Sequence, residues 1–246
     1  MNWLLWKEYR LNRLIVFVTL FLVLLPYLIA TCAICWEVIV QPSEKVVTTS
    51  GGEILTKPSE RVIHWRECLF GAFLYSITLS QLSLALIGGN AIAGERVDRS
   101  AEFQAALPLT RKKILAAKLL IALAIAAAIW LFNLPAFGLD LTYILDHFYT
   151  SDPPVFEIMI TSAITGLVFF CVAWLVSSVL PSPAIAACLG LITPWVVVGT
   201  VSLISLSSEL TRPGLVIWIW YLALCLTIAP ICFGIGTWLY LRCVEP

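Results

Sequence analysis

Charge is what this sequence has least of. Only 12% of its 246 residues are Asp, Glu, Lys or Arg, about half the share of an ordinary soluble domain. A water-facing shell around a core of this size cannot be assembled from so few charges, so a soluble globule is excluded. The 15 basic residues cancel the 15 acidic ones, which excludes a chain that binds nucleic acid through a basic excess. Histidine occurs twice, at His64 and His147, and neither lies in an apolar stretch. Bis-histidine haem ligation inside a helical bundle is therefore excluded. There is no H-E-x-x-H and no G-x-x-x-x-G-K-[ST], so the zinc-peptidase motif and the phosphate-cradling loop are both missing. Ionisable groups are absent from the middle of every apolar stretch, with Glu67, Lys118, Asp140 and Glu157 at or near the edges. Proton-coupled carriers and voltage sensors place such groups within the membrane, and those classes fall away. Apolar residues do not alternate with period two, which excludes a transmembrane barrel.

What is abundant is apolar. Hydrophobic residues make up 61% and the mean hydropathy is +0.97, too high for disorder and too continuous for a soluble core. A hydrocarbon layer ~30 Å thick needs roughly 20 apolar residues of helix per crossing. Six stretches meet that length, at about residues 14–36, 68–93, 114–139, 157–180, 184–206 and 215–241. The sequence predicts an all-α membrane protein, one six-helix unit over residues 1–246. The first stretch is longer than a signal-peptide core and lacks a small-residue cleavage pattern, so it is expected to be a retained helix.

Lys and Arg orient the helices. One side holds 10 of them: Lys7, Arg10, Arg13, Arg96, Arg99, Arg111, Lys112, Lys113, Lys118 and Arg242. The other holds five. Both termini are expected in the cytoplasm, in a bacterial inner membrane. The zero net charge then conceals +5 inside and −5 outside. The outer segment 37–67 contains Pro42, Gly51-Gly52 and Pro58, and is predicted as a hairpin or surface loop. Residues 141–148 are expected to form a short interfacial helix before Asp152-Pro153-Pro154.

Cysteine and polar residues inside the spans admit two interpretations each. Cys32 and Cys35 form a C-x-x-C at the end of an apolar helix without a second pair. Free thiols in apolar surroundings act as small hydrophobes, and a Cys35–Cys68 disulfide is the alternative. Ser76, Ser80, Ser83 and Asn90 share one side of the second helix, with Gln81 on another. Asn133 lies in the third, and Thr161, Ser162 and Thr165 cluster in the fourth. These groups either line a pathway or act as interhelical hydrogen-bond glue, at ~0.6 kcal/mol each. The run Ala122, Ala124, Ala126, Ala127, Ala128 is expected to be a close-packing surface.

The cytoplasmic segment from Gly94 to Ile114 carries the strongest signal. Charges of both signs open it (Glu95, Arg96, Asp98, Arg99, Glu102). An apolar stretch with Phe103, Ala106 and Leu107 on one helical face follows, then Leu107-Pro108-Leu109-Thr110-Arg111-Lys112-Lys113. A short helix outside the bilayer with an apolar face needs a partner groove. Thr110 is a candidate N-cap for the third helix. Arg111, Lys112 and Lys113 would then occupy a first turn where the macrodipole disfavours cations, so topology, lipid phosphate or an acidic partner surface accounts for them.

These features resemble the permease subunits of the ABC-2 transporter family. Residues 1–14, with Trp3-Leu4-Leu5-Trp6-Lys7-Glu8-Tyr9-Arg10, are similar to the family's amphipathic lead-in helix, although Lys7 interrupts the apolar arc. Residues 94–120 resemble its cytoplasmic coupling helix and the step into the third span. Ser100-Ala101 stands where the family often has Gly-Thr, and the final outer turn, 207–214, is short. The resemblance implies a permease, not itself an enzyme, paired as a homo- or heterodimer. It also implies a separate ATPase subunit that binds ATP and Mg, and export as the direction. Glu95, Arg96, Asp98, Arg99, Glu102 and Phe103 would contact the ATPase. Arg111, Lys112 and Lys113 would meet lipid or partner, and Ser76, Ser80, Ser83 and Asn90 are the candidate pathway lining. The first rival is a non-transporting subunit that passes ATPase work to an extracytoplasmic partner. A second is a membrane enzyme using His64 or His147.

Overall fold

The computed structural model describes residues 2–40, 60–97, 110–146, 155–206 and 213–242. Among them are six α-helices and no strand: α1 (Asn2–Val40), α2 (Glu60–Val97), α3 (Arg111–Asp146), α4 (Val155–Val179), α5 (Pro183–Leu206) and α6 (Pro213–Arg242). Each contains a stretch long and apolar enough to span a bilayer, and these begin and end within a few residues of the six sequence-predicted ones. The chain is a multi-pass membrane protein.

Two elements differ from the sequence reading. The lead-in is not a separate helix: α1 runs unbroken for 39 residues, ~58 Å at 1.5 Å per residue. Its inward side near the start is polar, with Glu8 and Asn12 buried, whereas Trp6, Tyr9 and Leu14 are exposed. Leu14, the one member of the apolar arc whose facing is described, therefore points outward. Residues 141–146 belong to α3 rather than to a distinct interfacial helix, because the helix continues past Pro135 to Asp146. His147 lies outside the described residues, as do 41–59 of the external segment. Cys35 and Cys68 are free thiols, not a disulfide.

Two three-helix halves share a central pair. Val23 of α1, Leu84 and Ile87 of α2, and Ala122, Ile125 and Ile129 of α3 form one core. Val168 and Val172 of α4, Val197 and Val201 of α5, and Tyr221, Cys225 and Ala229 of α6 form the other. The halves meet where α2 packs along α4 and α5. Trp174 of α4 is fully buried there, 5.8 Å from Phe170 and 5.9 Å from Phe233 between ring centroids.

Lipid is as apolar as leucine, so helices associate in a membrane through close van der Waals contact and small residues. The small residues that matter are glycines. A Cβ on Gly88 of α2 would fall 2.6 Å from the Phe170 carbonyl oxygen and 3.1 Å from Ala173 Cβ. One on Gly190 of α5 would fall 2.8 Å from the Phe169 oxygen and 2.9 Å from Ala173 Cβ. Ala173 thus stands between two glycines where three helices cross. The alanine run of α3 is not the equivalent surface. Ala122 is buried, but Ala124, Ala127 and Ala128 are exposed, because consecutive alanines encircle a helix instead of forming a stripe.

Candidate functional site

Residues near the start of α1, the end of α2, the start of α3 and the ends of α4 and α6 converge at one end of the bundle. This terminal end holds a buried ionic cluster. Lys118, two turns into α3, is 5% exposed. Its Nζ lies 2.9 Å from Glu95 Oε1 of α2 and 3.7 Å from Glu8 Oε2 of α1, and donates to the Ala91 carbonyl of α2. Lys7 Nζ approaches Glu95 at 3.8 Å. Asn12 Nδ2 donates to the Glu8 carbonyl (2.9 Å), and Asn90 Nδ2 donates to Asn12 Oδ1 (3.0 Å). Two cations and two anions therefore neutralise one another where α1, α2 and α3 meet. A set like this holds only while complete, because an uncompensated buried charge is costly.

The neighbouring basic residues satisfy helix C-termini, whose last carbonyls lack partners within their own helix. Arg96 Nη2 donates to the Ser178 carbonyl at the end of α4 (2.9 Å), and Arg111 Nη1 to the Leu241 carbonyl at the end of α6 (3.2 Å). Cations also complement the negative end of the helix dipole. This explains Arg111 in the first turn of α3, since what it opposes there it favours on α6. Thr110 directly precedes α3, and its carbonyl accepts from Lys113 N at 2.9 Å.

The sequence-predicted contact residues divide accordingly. Glu95 and Arg96 form the last turn of α2, with Glu95 7% exposed and turned into the cluster. Lys112 and Lys113 are exposed. Asp98, Arg99, Glu102 and Phe103 lie outside the described residues. Sequence reasoning missed Lys7, Glu8, Asn12 and Lys118 as one unit. The signal was there as a lysine inside the apolar arc of residues 3–14 and another one turn within the third span.

Burial shapes the titration of the two cluster members outside the membrane-spanning segments. It pushes the Glu8 carboxyl up, against the nearby Lys118 and Lys7 and with Glu95, and draws the Lys7 ammonium down, against Glu95 and Glu8. Lys118 on α3, and Tyr240 and Arg111 beside it, complete the charged and titratable surroundings. The folded protein holds the Glu8 proton more tightly than the unfolded chain does. Thermal stability should therefore fall as pH rises above about 4.5, Glu8's ordinary value, until its raised folded value is passed. Lys7 acts in the opposite sense, adding stability as pH rises from its lowered folded value toward 10.5. Melting temperatures across pH should show a shallower decline as pH rises above about 4.5 for Glu8→Gln; superimposable profiles would refute the assignment.

Inside the bundle, the serines of α2 face protein. Ser76, Ser80 and Ser83 are fully buried. Ser76 Oγ donates to the Val23 carbonyl of α1 (3.0 Å) and Ser80 Oγ to the Ile77 carbonyl (2.7 Å), while Ser83 Oγ has no hydrogen-bond partner. Tyr27 of α1 donates to Asn133 Oδ1 of α3 (2.8 Å). On another face of α2, in the half away from the termini, a cavity of about 650 Å3 lies among α2, α4, α5 and α6. Gln81, Thr161, Ser162 and Thr165 line it, together with Tyr221 and Trp218. Pro194 stands on its α5 wall, where its ring deletes the backbone bond to the Gly190 carbonyl.

Six apolar helices, an ionic cluster joining three of them at the terminal end, and a lined cavity in the opposite half define a polytopic membrane protein. The chain belongs to the ABC-2 family of transporter proteins: the model of the ABC-2 family transporter protein matches residues 6–216, from the start of α1 to the beginning of α6. Among curated proteins and among solved structures, none matches the chain.

Proposed function

We propose that this chain is the permease subunit of an ATP-binding cassette exporter in a bacterial cytoplasmic membrane, driven by a separate cytoplasmic ATPase and working as a dimer. Family membership supports the class. The observation that carries the mechanism is the cluster of Lys118 with Glu95, Glu8 and Lys7. It ties α1 to the two helices that flank the segment 98–109, on which Asp98, Arg99, Glu102 and Phe103 are proposed to meet the ATPase. Exposed Lys112 and Lys113 extend that docking side.

A push on segment 98–109 reaches α2 and α3 directly along the chain, and Arg111 passes it to the end of α6. The cluster obliges α1 to follow. Arg96, bonded to the end of α4, passes the displacement to the second half. ATP and Mg reside on the partner, and this chain contributes force transmission and the path. A subunit that only relays ATPase work outward would use the same contacts but needs no internal cavity, so the 650 Å3 cavity favours transport.

Affinity purification of the full chain from its own membranes should recover an ABC-type ATPase whose retention changes between ATP-bound and nucleotide-free conditions. No nucleotide-sensitive ATPase association would sink the proposal. ATP-dependent flux in reconstituted vesicles separates transport from mere force relay.

A further inference from the structure

The terminal-end cluster makes no use of the cavity in the opposite half, and the polar groups of that cavity follow a definite order along α4. Glu157, in the first turn, begins the membrane-spanning stretch of α4. Thr161 and Ser162 come one turn later, ~6 Å further in at 1.5 Å per residue, and all three line the space. Trp218 Nε1 donates to Thr161 Oγ1 (2.8 Å). An indole nitrogen only donates, so the Thr161 oxygen is the acceptor and its own proton is left over. Among the described residues no acceptor faces that proton. Beside it, Ser162 Oγ accepts from Gln81 Nε2 (3.1 Å), while the Gln81 carboxamide oxygen is packed against Gly166. Deeper in, the hydroxyls are spent on one another. Thr165 donates to the Thr161 carbonyl (2.7 Å) and so accepts from Tyr221 (2.6 Å), which also pairs with Cys225.

Beyond these groups the walls are apolar. Phe169, two turns past Thr161, and Leu191 and Trp195 of α5 line the inner part. The lining contains no Lys, Arg or His, so an anionic head would meet the Glu157 carboxylate with no cation to offset it. Trp195, 74% exposed, and the exposed Thr78 stand on the lipid-facing surface, which opens the space to the bilayer. From the start of α4 inward the order is thus carboxylate acceptor, hydroxyl donor, apolar body. The interfacial layer of a leaflet is about 5–8 Å deep, so Thr161 stands at the depth where a lipid's ester carbonyls meet the hydrocarbon. An unmade hydrogen bond there is costly, since no water replaces the missing partner. The volume, about 650 Å3, is within the ~300–1,000 Å3 usual for small-molecule sites.

From that order we infer that the cavity binds an uncharged, hydroxylated acyl ester of the monoacylglycerol kind. Its head hydroxyls donate to Glu157, its ester carbonyl accepts from Thr161, and its chain lies along Phe169 and Leu191 between α4 and α5. Phosphatidylcholine is a poor occupant: it has no head hydroxyl for Glu157 and brings a phosphate that the carboxylate repels. As a substrate site this rests on the permease proposal; as a binding site it does not.

The test uses the full chain in phosphatidylcholine nanodiscs with radiolabelled glycerol monododecanoate, and protein-free discs as the blank. Saturable binding at one molecule per chain is expected, at least about tenfold tighter than dodecanesulfonate. It should also be about fivefold tighter than 1-O-dodecylglycerol, which lacks the ester carbonyl, as loss of one hydrogen bond implies. Thr161→Val should bring ester and ether level, and Thr161→Ser, which keeps the hydroxyl and the acceptor for Trp218, should restore the preference. Glu157→Gln should narrow the discrimination against the sulfonate. Thr78 is an exposed lining position whose hydroxyl is bonded to the Leu74 carbonyl of its own helix, so Thr78→Trp should block the cavity with an unchanged melting temperature. Dioleoylglycerol added to the discs separates two sources of the ester: competition assigns the site to a diacyl lipid of the membrane, and its absence to a single-chain amphiphile. Either supports the inference. Absence of saturable binding, equal binding of the sulfonate, or no preference for ester over ether overturns it. So does the same loss in Thr161→Val and Thr161→Ser. Monododecanoate binding without any ATPase partner would retain the site and lose the permease proposal. ATP-driven flux without ester binding would do the reverse.

Discussion

Lys118→Met is expected to cost about 3–5 kcal/mol of stability, the scale of breaking a buried ionic set by removing one partner. Methionine matches the length and much of the volume of lysine, so little of the loss comes from a packing defect. What remains is two carboxylates, Glu8 and Glu95, that share the same interior with their bridging cation gone. Lys7 cannot replace it, since it lies 3.8 Å from Glu95 and is anchored on α1. The single variant should give a small monodisperse fraction by size-exclusion chromatography and a strongly lowered melting temperature. Adding Glu8→Gln and Glu95→Gln should restore much of the folded yield, because a neutral set has no charge to strand. A Lys118→Met protein that melts like wild type would show that this end of the bundle is hydrated. The same neutral triple variant tests force transmission: it should fold, yet couple ATP hydrolysis to transport poorly.

Gly88→Ala and Gly190→Ala are expected to lose about 1–3 kcal/mol each, the cost of overpacking a tight contact. Gly→Ala in a helix interior otherwise gains ~0.5–1 kcal/mol from backbone entropy. The sign therefore reports the contact. At Gly88 and Gly190 the clashing atoms include the Phe170 and Phe169 carbonyl oxygens, which belong to a helix backbone and cannot rotate away. Gly71 and Gly234 have nothing within 4 Å of a built Cβ, and Gly71→Ala and Gly234→Ala should hold or raise the melting temperature. Gly88→Leu should abolish folded protein, since α2 and α4 would have to separate along their whole contact. Equal effects at all four positions would mean that the three-helix crossing is looser than the structure shows.

The sequence by itself determined how many helices cross the membrane and where. Hydropathy over 20 residues measures transfer of a helix into hydrocarbon, and that free energy is local to each segment. This is why the predicted 68–93 and the observed Cys68–Val97 agree, and why Thr110 was legible as the residue before a helix. The family was legible too, from residues 94–120 and the six-span plan, and the match over residues 6–216 bears it out. Facing was not legible, because lipid and protein interior are equally apolar and composition does not distinguish them. Tertiary structure alone decided that Lys7 and Glu8 turn inward while Trp6 and Leu14 turn out. It alone decided that Gly88, not the alanines of α3, marks the closest helix contact. It also brought Glu8, Glu95 and Lys118, each near an edge of its own apolar segment, into one neutral cluster. Ionic attraction between residues 8, 95 and 118 depends on which helices are neighbours, and no window along the chain contains that information.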